Sequence, residues 1–319
     1  MHGHAVVRAN TVPDSPADAA TTMQPVKVAI IDVGSNSVRL LVASVGKRGL
    51  KQLHRDRVYV RLGDDAYSLG RISRAKLEET REVAERFART ARKRGADRLE
   101  TIVTAPGRQS SNSAELINVL SDATQASVVL LGAGDEGRLA WEGAVSRMDD
   151  PPDTVAVVDL GGGSCELAVG TTRAGPTWVC SVDAGALRVT RAFLGGDPPP
   201  RERLKRARRE IPALLGQLDP PIPEAALAVG GTARAVGRIV GRRFGLEELG
   251  ELAERLSNAP AARVAEPHGI TNERAETLLG GTLVLAAVAE RLDSELEVGR
   301  GGLREGAALA LARPKLAAA

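Results

Sequence analysis

The sequence contains few cysteines, histidines and aromatic residues. Of its 319 residues, 2 are cysteine, 4 are histidine and 2% are aromatic. Cys165 and Cys180 are too few for a disulfide framework. No Cys-x-x-Cys pair accompanies the histidines, so a structural zinc site is not expected. Because aromatic rings are scarce, the core must be built mainly from Val, Leu, Ile and Ala.

Long apolar runs and Walker motifs are also missing. No run of about 20 apolar residues is present, so we expect no membrane partner. Residues 1–24 have no hydrophobic signal core, which predicts a flexible leader and a cytoplasmic protein. No Gly-x-x-x-x-Gly-Lys-Ser/Thr run occurs, which argues against a P-loop ATPase. The net charge of +3 and the pI near 9.1 suit an anionic ligand, and no specific nucleic-acid partner is predicted.

Two stretches of the chain share one pattern. Residues 31–42 read IDVGSNSVRLLV, and residues 157–170 read VVDLGGGSCELAVG. The two superpose without a gap, matching Asp32 with Asp159, Gly34 with Gly161, and Ser37 with Ser164. In each, a buried apolar run is followed by Asp-x-Gly-x-x-Ser and a second run, which predicts a hairpin of two strands. The chain is therefore predicted to carry a duplicated hairpin.

The tips of these hairpins are suited to phosphate. Glycines expose backbone N–H groups and let a ligand come close. The predicted phosphate-binding residues are Gly34, Ser35, Asn36 and Ser37 in the first tip, and Gly161, Gly162, Gly163 and Ser164 in the second. Asp32 and Asp159 are predicted to hold Mg²⁺ or Mn²⁺ beside the phosphate. Two facing tips would clamp one phosphate-bearing ligand between two halves of the protein.

Strands alternate with helices twice along the chain, which predicts an α/β protein with two domains. The Pro-containing stretch 149–153 is a candidate seam. It divides domain I (25–148) from domain II (149–303), and a C-terminal helix at about 304–319 is expected to pack back on domain I. We predict helices near residues 74–94, 114–123, 136–148, 186–193, 201–218, 233–240 and 278–292. We predict further strands near residues 53–62, 99–104, 127–131, 178–182 and 225–229, and a loop at 63–70.

The motifs DVGSNS, GDEGRL, DLGGGS and GLREG resemble those of the Ppx/GppA family of exopolyphosphatases and guanosine pentaphosphate phosphohydrolases. The resemblance runs from Val26 to Ala310 and is to the shorter members of the family. It implies the actin-like (ribonuclease H-like) fold of the actin / Hsp70 / sugar-kinase superfamily, with a cleft between two domains. Inorganic polyphosphate or guanosine pentaphosphate is then the expected substrate, and a homodimer is a possible assembly.

The resemblance also implies roles for individual residues. Glu136 falls on the general base of the family and Glu166 on a second acidic position. Arg108 matches a phosphate-contacting arginine, although Pro106 and Gly107 depart from the usual form of its loop. The stretch Gly230, Gly231 and Thr232 corresponds to a phosphate- or nucleotide-binding segment. Asn112 matches the asparagine that follows the arginine.

Three other functions stay open at this point. Guanosine pentaphosphate hydrolysis keeps the fold and changes the substrate, and a non-catalytic polyphosphate or nucleotide sensor would bind without turnover. The stretch 132–137 also satisfies Gly-x-Gly-x-x-Gly, which is typical of NAD(P)-dependent oxidoreductases. Asp135 and Glu136 lie where a pyrophosphate would bind in that case, and their charges oppose it.

A strongly basic segment follows a Gly/Pro loop at residues 195–200. Residues 201–209 read RERLKRARR, in which 6 of 9 residues are Arg or Lys. At helical spacing Arg201, Lys205 and Arg208 share one face. Such a face is expected either to guide a long polyphosphate chain or simply to face solvent.

Overall fold

The computed structural model describes residues 24–313. Residues 1–23, the bulk of the predicted leader, and residues 314–319 of the predicted C-terminal helix lie outside the described residues. The first half contains β1 (Val26–Val33), β2 (Val38–Gly46), β3 (Gly49–Val58), α1 (Leu62–Leu69), α2 (Arg74–Lys93), β4 (Arg98–Val103), α3 (Ala105–Gln109), α4 (Ser113–Thr124), β5 (Ser127–Leu130) and α5 (Ala133–Val145).

The second half repeats this plan with more helix. It contains β6 (Thr154–Leu160), β7 (Cys165–Thr171), β8 (Gly175–Val182), α6 (Ala186–Val189), α7 (Arg201–Leu214), β9 (Ala225–Val229), α8 (Gly230–Val240), β10 (Arg243–Phe244), α9 (Leu246–Asn258), α10 (Ala261–Ala265), α11 (Asn272–Ala275), α12 (Leu278–Leu292), β11 (Leu296–Val298) and α13 (Leu303–Ala312). Helix α6 continues into a π-helical turn, Thr190–Leu194, and a 3₁₀ turn, Glu266–His268, precedes α11.

The strands form two sheets of the same design. The first has the order β3-β2-β1-β4-β5, and the second has the order β10-β11-β9-β6-β7-β8. Strand β1 is antiparallel to β2 and parallel to β4, and β6 is antiparallel to β7 and parallel to β9. The predicted duplication of the hairpin is confirmed, and it extends to five strands of each sheet, since β8-β7-β6-β9-β11 repeats the order of the first sheet and β10 is added at the edge.

Both faces of the central strands are covered mainly by aliphatic side chains, as expected for a sequence with few aromatic residues. In the first sheet, one face packs Ile31 and Leu40 against Phe87 of α2. The other face packs Ile30 and Leu41 with residues of α13. In the second half, most residues of α12 are buried, and many of them belong to the main core. Such continuous apolar runs are typical of strands covered on both faces.

Helix α13 returns to the first sheet, where its Leu303, Ala307 and Ala308 join Val28 and Ile30 in one core cluster. Helices α13 and α5 lie so close that a Cβ at Gly306 would collide with the carbonyl group of Leu139. Glycine is thus required where the two helices cross. The residue bounds of the two domains stay predictions.

Several local predictions were wrong. Residues 63–70, expected to be a loop, lie almost wholly in helix α1, whose Leu62 and Ala66 are buried and whose C-cap is Gly70 in the left-handed conformation. Residues 105–109 form the short helix α3 rather than a loop, with proline in its first turn, where proline is tolerated. Strand β3 covers 49–58, four residues before the predicted position. Helix α4 begins at Ser113, one residue before the predicted position, with Asn112 at its N-cap.

The basic helix also ends earlier than predicted, at Leu214, and contains Pro212. The helix after β9 begins at Gly230, three residues before the predicted position, so its glycines form a helical turn and not a loop. Among residues 24–313, no helix combines the length and the apolarity needed to cross a bilayer.

Candidate active site

The two hairpin tips face each other across a narrow cleft. Its walls are formed by both tips, the start of α8 and the segment that leads into α13. The lining residues include Asp32, Gly34, Ser35, Asn36, Ser37, Arg39, Glu136, Asp159, Gly161, Gly162, Gly163, Ser164, Gly230, Arg234, Arg304 and Glu305. The cleft has a volume of about 60 Å³. Ordinary small-molecule pockets measure about 300–1,000 Å³, so the cleft admits one small group and not a whole nucleotide.

The two tips share one turn geometry. The Gly34 N–H donates to the Ser37 carbonyl at 3.2 Å, and the Gly161 N–H donates to the Ser164 carbonyl at 3.1 Å. Both amide atoms of Asn36 are buried and have no hydrogen-bond partner among the described residues. A buried amide without partners is costly, so it marks a position that a polar ligand satisfies.

Close packing of the tips explains the three consecutive glycines of the second hairpin. A Cβ at Gly163 would collide with the Ser35 hydroxyl, and one at Gly162 would lie 3.1 Å from the Asn36 backbone nitrogen. The Gly162 carbonyl accepts hydrogen bonds from the Leu187 and Arg188 N–H groups, each at 3.0 Å. The second tip is thus held between the first tip and helix α6.

Asp32 and Asp159 come from equivalent positions at the ends of β1 and β6. Burial raises the pKa of Asp159 to about 6, and the nearby Asp32 charge adds to this increase. Burial also raises the pKa of Asp32, although Arg39 and Arg304 each place a guanidinium nitrogen 3.9 Å from its Oδ2. The two carboxylates therefore repel each other in a poorly hydrated cleft.

This donor set fits a divalent cation. Mg²⁺ in proteins is bound through one or two carboxylates together with water and substrate phosphates. Asp32 and Asp159 supply two such carboxylates in one cleft, and a cation there would offset their repulsion. Residues 24–313 contain no cluster of three or more acidic, histidine or cysteine side chains able to hold a metal without other ligands.

A second acidic group lies around Arg108. Its Nη1 donates to Glu136 Oε2 at 2.6 Å and to the Leu131 carbonyl at 3.0 Å. Its Nη2 lies 3.4 Å from Ser164 Oγ and 3.7 Å from Glu166 Oε1. Arg108, Glu136 and Glu166 come from α3, α5 and β7, so the fold brings together residues that are distant in sequence.

Glycine permits the close approach of α5 to the second sheet. A Cβ at Gly137 would collide with a methyl group of Val179 in β8, and it would lie 3.6 Å from the Cβ of Glu166. Glu166 is 1% exposed and Glu136 is 6% exposed. Burial, followed by repulsion from Glu166, raises the pKa of Glu136 well above its ordinary range despite the neighbouring Arg108. Burial raises the pKa of Glu166 to about 7. Burial therefore increases the proton affinity of both carboxyl groups, a property expected of a general base.

Not every predicted residue lies in the cleft. Gly230 lines it, but Thr232 is fully buried and lies 3.4 Å from Arg274 Nη1. Gly231 also faces Arg274, and a Cβ there would collide with its guanidinium group. Asn112 exchanges two hydrogen bonds of 2.9 Å with the backbone of Ile72, which is a structural contact.

Four charged residues of the cleft were missed as site residues: Arg39, Arg234, Arg304 and Glu305. Arg39 follows the first tip by two residues, and its Nε donates to Ser37 Oγ at 3.0 Å. Arg304 and Glu305 belong to the GLREG motif, which was the available signal. Arg234 follows Gly230-Gly231-Thr232 by two residues, and no sequence pattern distinguished it from a surface arginine.

A larger cavity adjoins the cleft and shares Arg234 with it. It has a volume of about 380 Å³ and is lined by Arg57, Tyr59, Gly231, Arg234, Ala235, Arg238, Gly269, Ile270, Thr271 and Arg274. No Asp or Glu belongs to this lining in the described part of the chain. Burial and neighbouring arginines lower the pKa of Arg234 to about 9 and that of Arg274 to about 10. Both remain cationic at neutral pH, so the cavity is suited to anions.

Comparisons with known proteins agree with this geometry. A family model described as the Ppx/GppA phosphatase family matches residues 41–313. Exopolyphosphatase 2 of Mycobacterium tuberculosis is 30% identical over 317 residues, covering 90% of this chain and 98% of that protein. Exopolyphosphatase 1 of the same organism is 28% identical over 298 residues, covering 88% and 86%.

Solved structures show the same fold. The Aquifex aeolicus PPX-GPPA enzyme gives a TM-score of 0.75 at 24% identity, covering 90% of this chain and 100% of that one. An exopolyphosphatase from Cytophaga hutchinsonii gives a TM-score of 0.78 at 18% identity, covering 88% and 96%. The expected actin-like fold with two α/β domains is thereby confirmed. The oxidoreductase alternative is wrong, because residues 41–313, which include this stretch, match the phosphatase family model. The chain belongs to the Ppx/GppA phosphatase family.

Proposed function

We propose that this protein is an exopolyphosphatase, which hydrolyses the terminal phosphoanhydride bond of inorganic polyphosphate by metal-assisted in-line attack of water. The observation that carries the proposal is a cleft of about 60 Å³ between two phosphate-type tips, next to a cavity of about 380 Å³ with no acidic lining residue. The cleft suits one terminal phosphate, and the cavity suits the anionic remainder of the chain. The mycobacterial relatives named exopolyphosphatases support this substrate.

The hairpin tips position the terminal phosphate. We expect backbone N–H groups of both tips and the unpartnered amide of Asn36 to bind its oxygens, and Arg39 and Arg304 to offset its charge. Phosphoryl transfer needs this positioning and charge neutralisation more than covalent participation by the protein. Asp32 and Asp159 would hold a divalent ion, which would supply further charge neutralisation when bound.

Glu136 acts as the general base for the attacking water, and Glu166 is the second acidic group. Both have raised pKa values because they are buried, which makes either carboxylate a better proton acceptor near neutral pH. Arg108 contacts both groups and also reaches Ser164 of the second tip. A phosphate bound at that tip competes for Arg108 and leaves the Glu136 carboxylate free to accept a proton.

Guanosine pentaphosphate is the second candidate substrate. Besides its arginines, the adjoining cavity presents the ring of Tyr59 and the side chain of Ile270. An aromatic ring and an aliphatic side chain beside cationic groups would suit a nucleoside attached to phosphates. Mg²⁺ or Mn²⁺ as the metal, a cytoplasmic location and a homodimer are further parts of the proposal.

The test is phosphate release from long polyphosphate, tripolyphosphate and guanosine pentaphosphate, compared side by side with and without Mg²⁺. We expect the highest kcat/KM for polyphosphate and none without the metal. Glu136→Gln is the matched inactive control. Higher kcat/KM for guanosine pentaphosphate would favour the second substrate. Binding of polyphosphate without release from any of the three would identify a sensor instead.

A further inference from the structure

Helix α1 lies between the first phosphate tip and the second half of the protein. Its first turn holds the tip by the backbone: the Gly63 N–H donates to the Ser35 carbonyl at 2.8 Å, and the Arg61 N–H donates to the Asn36 carbonyl at 3.2 Å. A Cβ at Gly63 would lie 3.0 Å from that of Ser35 and 3.1 Å from a methyl group of Leu187 in α6. The tip, α1 and α6 are therefore packed in direct contact.

Two ion pairs join this helix to the second half. Arg61 Nη2 lies 2.6 Å from Glu276 Oε2, next to α11. Asp64 accepts hydrogen bonds of 2.8 and 3.2 Å from Arg191, in the π-helical turn after α6. All four side chains are partly exposed. We call these two pairs the α1 clasp.

Arg61 is also one of three non-glycine residues with positive φ among residues 24–313, at φ 60° and ψ 46°. Glycine or asparagine adopts this conformation more easily than arginine does. The left-handed backbone therefore does not account for arginine at this position, whereas the arginine side chain reaches Glu276 in the second half of the protein. Arg61 therefore combines an unfavourable backbone conformation with a contact between the two halves.

We propose that Arg61 is a positioning residue, which couples closure of the cleft to the placement of the Ser35–Asn36 tip through its ion pair with Glu276. When the halves separate, the pair breaks, and the turn that holds the tip carbonyls loses its anchor. When the halves close, the pair forms and fixes the tip around the terminal phosphate. The clasp therefore shifts the balance between open and closed forms, and its loss reduces affinity for substrate. Only the kinetic consequence of this inference, the reduced affinity for substrate, rests on the proposed function.

The first experiment needs no substrate. Hydrogen exchange of the Arg61 and Gly63 amides is compared in the wild-type protein and in Glu276→Gln. We expect exchange to become about two- to fivefold faster in the variant, the range for a partly exposed ion pair. The matched control is Glu78→Gln in α2, which removes an exposed pair of the same 2.6 Å length with Arg81. Unchanged exchange in Glu276→Gln, or equal acceleration in the control, overturns the proposal.

The second experiment separates positioning from structural support. Arg61→Asn removes the charge but suits the left-handed backbone, so its stability should not fall. Its KM for tripolyphosphate should rise about two- to fivefold, with a smaller change in kcat. The charge swap Arg61→Glu with Glu276→Arg should restore both KM and amide exchange. Failure of the swap to restore either, or loss of stability in Arg61→Asn, overturns the proposal.

The two proposals fail in different ways. If wild-type protein releases no phosphate from tripolyphosphate, the proposed function is wrong, and the exchange result still decides whether the clasp holds the tip. If the wild type is active and the exchange of Glu276→Gln is unchanged, the clasp is wrong and the proposed function stands.

Discussion

Replacing Glu166 by glutamine should make the free protein more stable at alkaline pH while lowering its activity. Glu166 is 1% exposed, and burial raises its pKa from 4.5 to about 7. At about 1.4 kcal/mol per pKa unit, keeping this group ionised in the folded state costs about 3 kcal/mol. Glutamine removes the ionisation and keeps an oxygen that accepts from Ser181, whose hydroxyl lies 2.8 Å from Glu166 Oε1.

The sign of the pH dependence follows from linkage. Between pH 4.5 and about 7, the folded state binds more protons at Glu166 than the unfolded state does. The stability that this group contributes is fully present below pH 4.5 and is lost as the pH rises through about 7. The variant lacks this loss, so the two proteins should differ most at pH 8 and least at pH 4.5.

The assay is urea unfolding of the metal-free protein between pH 4.5 and pH 8. We expect Glu166→Gln to exceed the wild type by about 1–3 kcal/mol at pH 8, with the difference disappearing toward pH 4.5. Glu78→Gln, at an exposed position of α2 with a lowered pKa, should show no such gain. A variant no more stable than the wild type at pH 8, or a difference independent of pH, would refute the reasoning.

Three further predictions concern turnover and binding. Glu136→Gln should lower the rate of phosphate release by about 10²–10⁴ while retaining substrate binding, and activity above about a third of wild type would remove it from the mechanism. EDTA should stop phosphate release and Mg²⁺ should restore it, because Asp32 and Asp159 are proposed to hold the metal; full activity after dialysis against EDTA would contradict this. Arg238→Gln should raise KM for long polyphosphate about two- to fivefold, with a smaller rise for tripolyphosphate. An equal rise for both substrates would show that the arginine-lined cavity does not bind the polyphosphate chain.

The sequence could predict the hairpins because their signals are local. Alternating apolar residues fix each strand, and Asp-x-Gly-x-x-Ser fixes each tip within six positions. Asp32 and Asp159 match because each occupies the same position in a short segment that occurs twice in the sequence. The resemblance to a known family added Glu136, Glu166 and Arg108, which the fold places within one hydrogen-bonded group. Their roles stay predictions.

Helix α1 and the arginine-lined cavity could not be predicted, because they depend on tertiary contacts. Gly63 disfavours a helix locally, and α1 forms because Leu62 and Ala66 are buried and Asp64 and Asp65 lie in its first turn, where acidic side chains are favourable. The cavity combines the segment after β3 with α8 and α11, which lie more than 200 residues apart from first to last. No periodicity or spacing connects such segments.

In the basic helix α7, the structure reduces the number of residues that could guide a polyphosphate chain. Of the three residues expected to share a face, Arg208 lies 2.6 Å from Glu254 and is already paired. Arg201 and Lys205 are exposed, and neither forms an ion pair within the described residues. Guidance of a long chain would therefore depend on these two charges, and α7 packs against the π-helical turn that carries Arg191 of the clasp.

The test replaces both Arg201 and Lys205 by glutamine. If α7 guides polyphosphate, KM for long chains should rise about two- to tenfold, and KM for tripolyphosphate should barely move, because a short chain ends before it reaches the helix. High salt should shrink the difference, since attraction between exposed charges is screened. The matched control removes two exposed charges elsewhere, Lys47→Gln with Arg48→Gln in the turn between β2 and β3. Equal KM changes in both double variants would mean that only net charge matters, and α7 would then be an ordinary surface helix.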